Sequence, residues 1–118
     1  MFKAVLRDMV EKTDGGIAGL LMDGSGIPVD SYSISDAPFD INTVGAELSV
    51  VLNQIGKASE MLDAGAAQEI AVNTEKMITV IRAINSEYFL ALTMLPSGNF
   101  GKGRFMMRTA APKLLAEL

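Results

Sequence analysis

The chain has 118 residues and a formal net charge of −4, with 49% hydrophobic and 20% charged residues, which describes a folded chain rather than a disordered one. The acidic balance argues against nucleic acid, which demands a concentrated positive patch. The absence of cysteine excludes a disulfide framework and thiol catalysis, and the absence of histidine removes the commonest general base and the commonest metal ligand together.

In chain order, the first segment, "FKAVLRDMVEKT", places Phe2, Val5, Leu6, Met9 and Val10 on one helical stripe, with Arg7 and Glu11 four apart on the outer face. Its charges are interleaved with apolar residues, so no secretory signal is expected, and no apolar run approaches the roughly 18 residues of a membrane span. A cytoplasmic location and no membrane insertion are the expectations. Asp14 to Gly16 should end this helix, glycine accepting the left-handed conformation at little steric cost. "IAGLLMD" then reads as a strand covered on both faces.

The glycine-rich stretch that follows, "DGSG", resembles the start of a phosphate-cradling loop. Yet a P-loop needs a lysine and a hydroxyl after its last glycine, and the chain continues "IPVDSYSI". A dinucleotide loop must open into a helix, which Pro28 and Val29 disfavour. A calcium loop needs further oxygen ligands where Ile27 and Val29 supply none. A hairpin turn between two strands explains the stretch better.

"SDAPFD" is a loop, and Asp40 is placed to cap a long helix from Ile41 to about Leu62. Ile41, Val44, Leu48, Val51, Ile55, Ala58 and Leu62 recur at three- and four-residue intervals and are expected to form its core stripe. Beside them lie the small residues Gly45, Ser49, Gly56 and Ser59. Interior glycines cost about 1 kcal/mol each relative to alanine, so they invite a reason. They suit close approach either by the chain's own sheet or by a twin helix, and the twin is the reading preferred. Next, "AQEIAVNT" alternates Ile70 and Val72 with Glu69, Ala71 and Asn73, as a half-covered strand does. "KMITVIRAI" and "YFLALTML" are apolar strands joined at Asn85–Glu87. The remainder becomes a helix whose buried face carries Phe100, Gly103, Met107, Ala110 and Leu114, with a kink or new turn expected at Pro112.

The result is an α/β (α+β) sandwich in the order α-β-β-α-β-β-β-α, a single domain over residues 1–118 with a mainly antiparallel sheet and helices on both faces.

Four stretches together, "LLMDGSGIPVDS", "ELSVVLNQIGKASEML", "EIAVNTEKMITVIRAINSEYFLALTM" and "GNFGKGRFMMRTAAPKL", resemble the Roadblock/dynein-light-chain family, in its prokaryotic MglB-like variety. The resemblance covers almost the whole chain and rests on order and texture, without a catalytic signature. It implies a five-stranded antiparallel sheet, and dimers whose long helices lie side by side and whose third strands pair edge to edge. It also implies binding and regulation of a small Ras-like GTPase, with a scaffold or motor-complex light chain as the alternative and a small-ligand sensing module as a more distant one. No catalytic residue, cofactor or metal is assigned.

Two surfaces follow as expectations. Gly45, Ser49, Leu52, Gly56 and Ser59, with the strand bearing Ile70 and Val72, make a homodimer interface. Glu47, Val50, Gln54, Lys57 and Met61, on the outer side of the long helix, bind the partner. An arginine finger from Arg7, Arg82, Arg104 or Arg108 is weighed against ordinary solvated or paired arginines. "GKGR", Gly101 to Arg104, with Arg108, is a basic cluster placed to receive an anion or simply to be solvated. Asp23, Asp30, Asp36 and Asp40 are explained by turns and caps rather than by a metal site.

Overall fold

A computed structural model describes residues 1–118. Its elements run α1 (Phe2–Glu11), β1 (Gly16–Asp23), β2 (Pro28–Ser33), α2 (Ile41–Met61), β3 (Glu69–Asn73), β4 (Ile78–Ala83), β5 (Tyr88–Met94) and α3 (Phe100–Leu115). The five strands form one antiparallel sheet in the order β2-β1-β5-β4-β3. The expected architecture is therefore observed. β2 and β3 are its two edges.

Burial follows strand register. Directly paired residues share a face, so Leu21, Leu90 and Leu92 of β1 and β5 join Ile78 and Val80 of β4 beneath α1 and α3. Leu6, Met9 and Val10 of α1 and Met106, Met107, Ala110 and Leu114 of α3 complete that layer. On the opposite face, Ala18, Leu20, Met22, Ile81 and Ala91 lie with Ile41 and Leu52 of α2. β1 is buried along its whole interior, as its continuous apolar run requires.

Local chemistry accounts for the boundaries. Asp23 Oδ1 accepts from the backbone N–H of Ser25 and of Ile27, and Gly26 has φ +83°, so "DGSG" is the hairpin turn its residues suggested. A side chain at Gly26 would also meet Ser49 of α2 at 2.7 Å. Asp40 caps α2 by accepting from Asn42 N–H at 3.0 Å, and Asn99 caps α3 by accepting from Lys102 N–H at 2.9 Å. Asn85 Oδ1 accepts from the N–H groups of Glu87 and Tyr88 and so closes the β4–β5 turn. α3 runs on through Pro112 to Leu115 without ending, where a kink or fresh turn was expected. Proline there forgoes one bond near the helix end, where the ladder is already running out.

Two expectations about α2 are overturned. Gly45, Ser49 and Leu52 are buried within the chain itself, and a side chain at Gly45 would run into Leu20 of β1. These three pack the chain's own sheet and cannot meet a twin helix. Conversely, four members of the expected core stripe are exposed: Val51 by 43%, Ile55 by 38% and Leu62 by 77%, together with Ala58. The two stripes lie roughly a quarter-turn apart, and past Leu48 the apolar one turns away from the sheet. Periodicity marks which residues seek cover but not what covers them. Close approach of a helix to a sheet needs small side chains at the contact.

Candidate functional site

α2 packs most closely on β1 and β2, and its C-terminal half, from Leu52 to Glu60, borders the segment that leads into β3. The α2 side of β3 carries Ile70, half-buried, and Val72, 39% exposed, paired with Ile81 and Thr79. Val44 and Leu48 of α2 and Ile70 of β3 pack as partly exposed members of one buried cluster. Val51 and Ile55 extend the α2 part of that surface outward. The whole is an apolar flank that the chain covers only in part: its β3 residues, Ile70 and Val72, were read from the sequence as interface, whereas its α2 residues were read as core.

The two sheet edges differ. Along β2 the ladder is irregular between Leu21 and Met22, Pro28 lacks a donor, and Lys3 of α1 reaches across to the Ser31 carbonyl and to Asp30 at 3.3 Å. Proline, a register shift and a charged side chain over the edge all blunt it against further pairing. β3 has none of these devices. Its five residues carry no proline, and its one charge, Glu69, turns to the α3 face.

Glu69 is the centre of an ion-pair cluster that sequence spacing did not disclose. Its Oε1 accepts from Arg82 of β4 at 3.0 Å, and its Oε2 meets Arg104 of α3 at 2.6 Å. The Arg104 guanidinium lies 5.6 Å from the Phe100 ring centre. Arg82 and Arg104 are thereby tethered, whereas Arg7 and Arg108 are exposed and in no ion pair. A single carboxylate thus ties the edge strand to α3. Lys102, the other cation of the basic cluster, sits 5.7 Å from the Phe105 ring centre.

The residues expected to bind a partner, Glu47, Val50, Gln54, Lys57 and Met61, are all exposed, with Val50 at 56% and Met61 at 88%. They form a ridge on α2 turned away from the sheet. Of the expected dimer residues, Gly56 and Ser59 are half-buried, and space around Gly56 is open. A cleft of about 1070 Å³ runs beside them, between Leu52, Gly56 and Glu60 of α2, the segment before β3 and the β4–β5 turn. A second, of about 550 Å³, lies among Ile17, Ile34, Met77 and Leu95. The four aspartates do not converge: Asp23 and Asp40 serve backbone donors, and Asp30 meets Lys3. No helix is long and apolar enough to cross a membrane.

No family model and no curated protein matches the chain. Solved structures do. MglC from Myxococcus xanthus is 39% identical, with a TM-score of 0.70, over 98% of this chain and 97% of that one. The gliding protein MglB from Thermus thermophilus has a TM-score of 0.83 at 19% identity, covering 92% of this chain and 81% of its own. A Roadblock/LC7 domain from Streptomyces avermitilis reaches 0.88 at 12% identity, covering 98% and 95%. The last two establish the fold alone. The first adds sequence kinship along nearly the full length of both chains, and with the sheet order and helix placement above it puts this protein in the Roadblock family, among its MglB- and MglC-like members.

Proposed function

We propose that the chain is a non-catalytic, homodimeric regulator or adaptor that binds a small Ras-like GTPase and biases its switch state or its hydrolysis of GTP. The observation that carries the reading is the uncovered apolar flank of α2 beside an undefended sheet edge. Monomeric soluble proteins seldom leave such a patch open. In the proposed dimer the β3 strands pair about a two-fold axis and the flanks formed by Val44, Leu48, Val51 and Ile55 cover one another. Gly56, Ser59, Ile70 and Val72 keep their place at that interface. Gly45, Ser49 and Leu52 drop out of it. Because both copies of α2 then stand on the same face of one extended sheet, their outer ridges form a single platform for the GTPase.

The dimer supplies no chemistry. The GTPase holds nucleotide and magnesium, and docking favours one geometry of its switch loops. Of the four arginines weighed as a finger, the two tethered by Glu69 are the poorer choices, since reaching a partner would leave that carboxylate uncompensated.

The experiment is capture of a small Ras-like GTPase, encoded beside this chain, in its GTP-like and GDP-bound forms. State-dependent binding that is lost in Val50→Glu with Met61→Glu is expected. Binding blind to nucleotide state would favour a scaffold, and no binding in either state would contradict the proposal.

A further inference from the structure

The face of the molecule opposite α2 carries a second unpartnered surface. α3 holds Lys102, Arg104, Arg108 and Lys113 and no acidic side chain, although the whole chain has fourteen acidic residues against ten basic ones. Arg104 is taken by Glu69. Lys102, Arg108 and Lys113 are exposed and form no ion pair. On the adjoining α1, Asp8 pairs with Lys12 at 3.0 Å and Glu11 accepts from the Tyr32 hydroxyl, and Glu117, four residues past Lys113, is exposed and in no ion pair. Of the four cations on this helix, only Arg104 is held in an ion pair within the chain.

That charge surrounds apolar side chains. With about 100° between successive residues, Phe105 and Pro112 lie at the middle of the outer face, Arg108 on one side and Lys102 and Lys113 on the other. Phe105 is 49% exposed, and Lys102 leans toward its ring. An aromatic centre inside a ring of unpaired cations is the pattern of a protein-binding hot spot, where an anchor is buried and charged groups set orientation.

We infer that the outer face of α3 (Lys102, Phe105, Arg108, Pro112 and Lys113) is a docking surface for an acidic peptide segment whose apolar side chain covers Phe105. Charge complementarity selects this occupant over an anionic membrane. The apolar centre spans only one or two side chains, because the broad apolar face of α3 is committed to the core. This surface lies across the sheet from the α2 ridge, so it is separate from the proposed GTPase platform and does not rest on it. Occupied together, the two would make the chain a bridge.

The test uses the full chain and three probes: a fluorescein-labelled peptide built of Glu-Glu-Leu-Phe blocks, its counterpart with Gln for Glu, and vesicles of phosphatidylserine and phosphatidylcholine. Fluorescence anisotropy should show binding of the Glu peptide only, weakening several-fold as salt rises and the Debye length shrinks from about 10 Å. Lys102→Glu with Arg108→Glu should weaken it by about tenfold or more, and Phe105→Ala by about tenfold. All three positions are solvent-facing, so thermal melting should hardly move, and Val50→Glu with Met61→Glu on α2 should leave peptide affinity unchanged. Equal binding of the Gln peptide, indifference to the α3 substitutions, vesicle binding in place of peptide binding, or no binding to any probe would each overturn the inference.

Discussion

Asp63 is the single non-glycine residue with positive φ, at 54°, and it closes α2. The N–H of Ala64 donates to the Ser59 carbonyl and that of Asp63 to Glu60, so the helix ends in the paired bonds of a Schellman cap with aspartate where glycine is most at ease. Asp63→Gly should raise stability by about 0.5–1 kcal/mol in a thermal or denaturant melt, by removing the left-handed strain of a side chain. Two glycines of α2 separate by the same logic. Gly45→Ala forces a methyl into Leu20 and should cost about 1–3 kcal/mol, whereas Gly56→Ala meets nothing within the chain and should add about 1 kcal/mol of helix propensity. Tyr32 gives a residue-level pH effect. Its hydroxyl donates to the Glu11 carboxylate, and this bond, with some desolvation and the negative charge of Glu11, holds the phenol pKa above its ordinary 10.0. A folded-state pKa raised in this way favours folding below about pH 10 and loses that contribution as pH climbs through the raised value. Glu11→Gln should bring the tyrosinate absorbance transition back toward 10. The outward Arg7–Glu11 pair suggested by spacing does not form, because Glu11 turns to Tyr32 and Lys12 meets Asp8 instead.

Among elements, what was legible divides by range. Caps and turns are written within a few residues, so Asp40, the Asp23 turn and the Asn85 turn could be read directly. The alternation of β3 and the doubly covered run of β1 were equally plain. Contacts across the sheet were not. Glu69, Arg82 and Arg104 come from three elements, and nothing in their spacing reveals that one carboxylate serves both cations. Glu69→Ala should therefore detach the β3 edge from α3 and cost about 1–2 kcal/mol, a figure held down by the 41% exposure of the Arg104 side chain. Hydrogen exchange should quicken at β3 before it does at β5. α2 shows the same boundary between local and global information. Both of its stripes were visible in the sequence, but only the fold decides that Gly45 and Ser49 face the sheet while Val51, Ile55, Ala58 and Leu62 face outward.

At the scale of the molecule, one face of the sheet is closed by α1 and α3 while the other leaves an apolar margin between α2 and the β3 edge. In the function proposed, homodimer formation through that margin turns the α2 ridges into a platform, and regulation of a GTPase depends on it. Sedimentation velocity of the full chain, beside Val51→Glu with Ile55→Glu, addresses it most directly. The expected result is a species of twice the 12.5 kDa protomer mass that falls to a single protomer in the double substitution while the far-ultraviolet circular dichroism stays the same. A wild-type chain sedimenting as one protomer at micromolar concentration, or a dimer indifferent to both charges, would contradict the account.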